Sequence, residues 1–328
     1  MRQTFVIAVI AVVLAPRVRA LDAPAQFDVR DAAEFSKLFA RDAGLVTVSS
    51  EFQFTEGPVW TSRDGGYLVF SNIPASRILK WSPDDGLSTF RSPSNNTNGN
   101  TRDPQGRLVS CEHSARRVTR TEEDGTVAVL ADRYQGKRLN SPNDVVVTDG
   151  GRVYFTDPPY GIPKDQKQEL EKSYVFRLDP ESHELKAVAE DLDRPNGLAF
   201  SPDEKRLYVA DSGKPHDVRV YDVGPDGGLS NGHLFSTIDK GNPDGIRVDE
   251  DGRLWSSAAD GVQVFAADGH LIGKLLTPSL PNPKDASKPL PQSPANLAFG
   301  GAEYRTLFIT GRNSLFRIET LVRGAVRR

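Results

Sequence analysis

Beyond residue 45 the chain is a succession of short apolar or aromatic runs, each bounded by Gly, Pro, Asn or Asp. Val145-Val146-Val147 and Val153-Tyr154-Phe155, parted by a glycine turn, show the pattern. Runs of this length and composition predict β-strands joined by tight turns. Asp28 to Gly44 differs: Phe35, Leu38 and Phe39 fall at helical spacing, and the closing glycine predicts one short helix.

The strand pattern repeats in phase. Five segments open on Asn or Asp, turn at Asp, Gly or Glu, and restart at an arginine; they begin at Asn98, Asn143, Asn196, Asp244 and Asn296. Four of the five are mostly apolar before the turn, and the segment from Asn98 is the polar exception. The interval to the arginine is nine residues in four cases and ten in the fifth, Asn196 to Arg206. A sixth copy opens on Glu56 and lacks the arginine. Successive openings are 42, 45, 53, 48 and 52 residues apart. A period of about 40 to 50 residues with several strands per copy predicts a β-propeller. The fold class is therefore all-β, a six-bladed propeller preceded by a short helix. The strand "LVTVSS", ahead of Glu56, is expected to pair with the last blade and close the ring.

Radial symmetry then gives the six opening residues a common destination. Glu56, Asn98, Asn143, Asn196, Asp244 and Asn296 each start an innermost strand, so all six face one end of the central channel. Two carboxylates and four amides supply hard oxygen donors suited to Ca²⁺, Mg²⁺ or Mn²⁺. Taken singly, any of them reads as an ordinary Asx-turn former. Repeated in phase, they read as a site.

The motifs "EGPVW", "SPND", "RPNGLAFSPD" and "NPDG", in this order and spacing, resemble the SMP-30/gluconolactonase family of six-bladed propeller lactonases. The stretches around "CEH" and "GKRLNSPNDVVV" are most similar to its bacterial gluconolactonase branch. The resemblance runs from about Val46 to Glu319. It implies metal ligands at Glu56, Asn143, Asn196 and Asp244, with Asp244 also the acid/base carboxylate. It implies one divalent cation, Ca²⁺ first, with Mg²⁺, Mn²⁺ or Zn²⁺ as alternatives. The implied reaction is metal-assisted hydrolysis of a sugar lactone, with Asn143 also available to a substrate hydroxyl. Asn98 and Asn296 receive no ligand role and are expected on the channel wall.

Other candidates lie at strand ends. Glu112 and His113 end a second strand of blade two at a rim loop, where they are candidates for substrate contact. Asp157 ends the equivalent strand of blade three, and the stiff loop after it brings Tyr160 toward the channel mouth. Asp211 holds the same place in blade four, as a support to the ligands or as a turn former. Arg107, Arg152, Arg206, Arg253 and Arg305 follow the hairpins and so belong at the far end from the ligands. The Pro-rich stretch from Thr277 to Pro294 is expected as a long loop on the ligand side.

Composition narrows the alternatives. A net charge of −3 over 328 residues gives no electrostatic case for nucleic acid. A single cysteine, Cys111, leaves no intramolecular disulfide. Arg2, the apolar run Phe5 to Ala15 and Val18-Arg19-Ala20 resemble a cleavable export signal, too short to span a bilayer. The expected organisation is a signal over 1–20, a helical extension over 21–45, the propeller over 46–320 and a tail over 321–328. Export to the periplasm or medium, with no membrane contact after cleavage, follows; Arg17 and Arg19 keep a retained anchor as the alternative. No serine-hydrolase elbow is present. A non-catalytic propeller with a structural ion, and an esterase for a non-sugar ester, remain as rival functions.

Overall fold

A computed structural model describes residues 21–325 apart from 283, 284 and 286, so the expected signal segment and part of the tail lie outside the described residues. Six antiparallel sheets are arranged as the blades of a propeller. Their innermost strands are Thr55–Thr61, Thr97–Arg102, Val145–Val147, Pro195–Phe200, Ile246–Val248 and Pro294–Gly300.

The apolar runs are explained by burial on both faces. Val145 and Val147 pack toward blade two, whereas Val146 packs toward blade four. Leu198 and Phe200 face blade three while Ala199 faces blade five. A strand between two neighbours has no solvated side, so alternation of polarity disappears. Each of the six principal apolar clusters lies between two adjacent blades, and Trp60 stacks on Phe308 at 5.4 Å where blades one and six meet.

Gly44–Ser49 pairs antiparallel with Ser314–Glu319, so the expected closing strand completes blade six. Two further strands were not legible in the sequence. Leu21–Pro24 pairs along Gly44–Ser49, and Gln26–Val29 pairs along Leu271–Leu276 at the edge of blade five.

The helix expected between Asp28 and Gly44 is a single turn, Ala32–Phe35. Asp31 caps it through the backbone N–H groups of Ala33 and Glu34, at 3.0 and 3.1 Å. Upstream, Arg30 and Asp31 bond to the Ile272 carbonyl of blade five. Downstream, Phe35, Leu38 and Phe39 sink into the cluster between blades five and six. The spacing reported a buried face correctly, but packing at both ends leaves no room for a longer helix. At the far end of the channel, Arg107 and Arg253 bond to Asp103 and Asp249, four residues earlier in each case, as their hairpin positions suggested.

Candidate active site

A break in strand pairing aims the polar ring at the axis. In blades one, two, four and six the register of the innermost strand slips at the ring residue, between Glu56 and Val59, Thr97 and Asn100, Pro195 and Leu198, and Pro294 and Asn296. Bulges of this kind bend a strand and redirect a side chain. In blades three and five the ring residues precede the regular strand, held by Asn143 N–H to Thr156 O at 2.8 Å and Asp244 N–H to Ser257 O at 3.2 Å.

The blades lock to one another at this level. The N–H groups of Gly99, Gly197 and Gly245 donate to the carbonyls of Asn143, Asp244 and Ala295 in the next blade. Hydroxyls add a second tie: Ser71 to Asn98 O, Thr156 to Asn196 O and Ser257 to Ala295 O, at 2.7, 2.7 and 2.8 Å. Glycine follows the ring residue in four blades because the neighbouring backbone is so close. A Cβ on Gly197 would lie 2.4 Å from Asp244 O, and one on Gly245 would lie 2.0 Å from Asn296 Cγ.

Some of the ring residues touch one another. Asn296 Nδ2 donates to Glu56 Oε2 at 2.9 Å and to Asp144 Oδ2 at 3.3 Å, joining blades six, one and three across the channel. Glu56, Asp144, Asn143 and Asn196 are buried, and Asp244 is half-buried. Burial, and then the charges of Asp244 and Asp144, hold the Glu56 carboxyl well above the ordinary carboxylate range. Burial, followed by the Asp144 charge, raises Asp244 to about 8 against the pull of a hydrogen bond from the Asn196 side chain. Glu56 and Asp244 thus share a desolvated space with Asp144, and burial there disfavours their charged forms.

Among the described residues, the Oδ1 atoms of Asn98, Asn143 and Asn196 are buried and have no hydrogen-bond partner. Unsatisfied buried acceptors are costly, so these three, each at a ring position, are available to a ligand that carries positive charge or donors. No three His, Cys, Asp or Glu side chains among the described residues form a ligand cluster on their own, so an ion here would need the amide oxygens. The donor set fits a hard cation held by Glu56, Asp244, Asn143 and Asn196.

The strand-end candidates fall into two groups. Asn98 Nδ2 lies 3.1 Å from His113 Nε2, so His113 belongs to the site wall. Burial lowers its pKa to about 4, and the imidazole is neutral near pH 7. Tyr160 stands at the mouth, 40% exposed, where burial of its hydroxyl and the nearby Asp244 charge help raise it to about 12. Glu112 does not join them. Its carboxylate receives Arg117 at 2.7 Å, Asn95 at 2.9 Å, Thr119 at 3.1 Å and Arg91 at 3.2 Å, which ties down blade two rather than facing the channel. Asp157 and Asp211 act in the same way on the loops before the ring: Asp157 accepts from the Asn140 N–H, and Asp211 from those of Asp193 and Arg194.

Sequence reasoning gave Asp144 no role. It follows Asn143 where four other blades carry glycine, and that exception was the available signal.

The family model described as "SMP-30/Gluconolactonase/LRE-like region" matches residues 54–313. The chain belongs to this family. A gluconolactonase from Zymomonas mobilis is 35% identical over 306 residues, covering 85% of this chain and 82% of that relative. A 6-deoxy-6-sulfogluconolactonase from Pseudomonas putida is 29% identical over 262 residues, covering 78% and 82%. The solved structure of a Xanthomonas campestris gluconolactonase is 36% identical with a TM-score of 0.82, covering 94% of this chain and 99% of the other.

Proposed function

We propose that this protein hydrolyses sugar lactones at the polar end of its channel, with a divalent cation held by Glu56, Asn143, Asn196 and Asp244. It is on this reading a hydrolase of carboxylic esters, with a small lactone as its substrate. The observation that carries the proposal is the contact of Asn296 with both Glu56 and Asp144, and of Asn196 with Asp244, beside ring amides whose buried oxygens have no partner. Similarity to gluconolactonases along most of the chain supports the choice of ester.

When bound, the cation supplies Lewis-acid polarisation of the lactone carbonyl. Asp244 carries the proton. In the bare channel its carboxyl favours the neutral form; an adjacent positive charge restores the carboxylate and makes it a base near pH 7. It takes a proton from the attacking water as the new C–O bond forms, then returns it to the ring oxygen as the lactone C–O bond breaks. The Asn196 hydrogen bond holds Asp244 in place, and Asn296 does the same for Glu56. Neutral His113 with Asn98, and Tyr160 at the mouth, present polar groups to the hydroxyls of a sugar.

The activity is tested with purified protein and glucono-1,5-lactone. Turnover is expected to disappear on chelation, return with Ca²⁺ or Mn²⁺, and fall by about 10²-fold or more in Asp244→Ala. Unchanged hydrolysis by a folded Asp244→Ala variant would overturn the assigned mechanism.

A further inference from the structure

We infer that Arg247 and Asp144 form a charge-balancing pair beneath the ring, which sets the formal charge offered to a bound cation and matches it to a divalent one. The inference rests on the cation reading above. Each residue departs from the six-fold pattern, and the two departures meet. Asp144 occupies the position that is glycine in blades one, two, four and five. Arg247 lies three residues after Asp244, where the other blades carry Val59, Thr101, Val146, Ala199 and Phe299. One blade has gained a carboxylate and another a guanidinium.

They touch across the channel. Arg247 Nη1 reaches from blade five past blade four to Asp144 Oδ2 in blade three, at 3.4 Å. The same nitrogen donates to Ile246 O at 2.7 Å, which fixes the head group against its own strand. The Asp144 side chain is 2% exposed and that of Arg247 18%, the latter bordering a cavity of about 910 Å³ on the far side of the ring. Asp144 in turn accepts from Asn296, and Asn296 donates to Glu56. Arg247 is therefore a positioning residue, acting through two side chains.

The charge count gives the pair its purpose. Counted formally with a cation in place, Glu56, Asp144 and Asp244 contribute −3 and Arg247 contributes +1, leaving −2. A divalent ion neutralises this balance. Without Arg247 the channel would hold −3, and without Asp144 it would hold −1.

Opposite signs are therefore expected from single substitutions, read by calorimetric titration of the full chain with Ca²⁺ and with Mn²⁺. Arg247→Met should tighten binding about tenfold, and Asp144→Asn should weaken it by a similar factor, as one unit of charge at several ångströms in a desolvated channel requires. The double variant should return to within about threefold of the unaltered chain, because its charge is again −2. Unfolding in EDTA serves as a second measurement: Arg247→Met should be the least stable form, and the double variant should recover. Two singles that both weaken binding, or neither of which alters it, would overturn the inference, as would a double variant worse than both. Failure of the unaltered chain to bind either ion would instead overturn the cation reading, and this inference with it.

Discussion

His113 makes the protein acid-labile in a way that can be isolated. Its imidazole is 8% exposed, its Nε2 faces the amide nitrogen of Asn98, and Gly161 packs against the ring so closely that a Cβ there would lie 2.2 Å away. A proton on Nε2 would bring two donors face to face in a space with little water. Burial accordingly lowers the pKa from 6.5 to about 4. A folded value below the unfolded one means that the unfolded chain takes up the proton first as the pH falls. The associated stability is complete above about pH 6.5 and drains away as the pH drops toward 4. Two and a half units at 1.36 kcal/mol each give roughly 3 kcal/mol in all, with about 1.4 kcal/mol already lost at pH 5.5. Other buried groups titrate over the same range, so the assay is a difference. Urea unfolding of the unaltered chain and of His113→Gln is measured at several pH values with saturating Ca²⁺. The advantage of the unaltered chain should shrink by roughly 3 kcal/mol between about pH 7 and pH 4. A difference that stays flat across this interval would refute the buried, neutral imidazole.

Two further outcomes are expected. Glu56 and Asp244 have folded pKa values above their unfolded ones, so their neutral forms favour the fold below the ordinary carboxylate range, and that stability is lost as pH rises through about 8 for Asp244. In EDTA the unfolding free energy should therefore decline between about pH 5 and pH 8, whereas saturating Ca²⁺ should flatten the decline; an identical profile with and without the ion would contradict the assigned ligands. Gly245→Ala places a methyl group 2.0 Å from Asn296 Cγ and should cost about 1 to 3 kcal/mol by urea unfolding, together with lactone turnover, because Asn296 must leave Glu56 and Asp144. Gly150→Ala, whose new carbon would approach nothing nearer than 3.8 Å, is the matched control and should leave both unchanged.

The propeller and its polar ring were legible in the sequence because symmetry writes them six times. A single Asn before a valine run carries no meaning, but Glu56, Asn98, Asn143, Asn196, Asp244 and Asn296 recur in phase with the strands. What escaped detection was whatever occurs once. Asp144 and Arg247 belong to different blades, and their contact spans 103 residues. Leu21–Pro24 and Gln26–Val29 are too short to display alternation, and each exists because a finished blade offers it an edge. Glu112 was misplaced for the opposite reason: its strand-end position suggested the channel, whereas Arg91 and Arg117 pull its carboxylate into the blade.

Blade six is woven from both ends of the chain, with Gly44–Ser49 laid against Ser314–Glu319. A nascent chain on the ribosome holds most of the blades long before it holds a ring. Asn296, which spans Glu56 and Asp144, is the last of the six ring residues to be made. Circular closure and assembly of the polar site therefore wait on the same late blade. A copy that stops short of Ser314 leaves Gly44–Ser49 without its partner strand, so this one seam ties closure of the ring to assembly of the polar site.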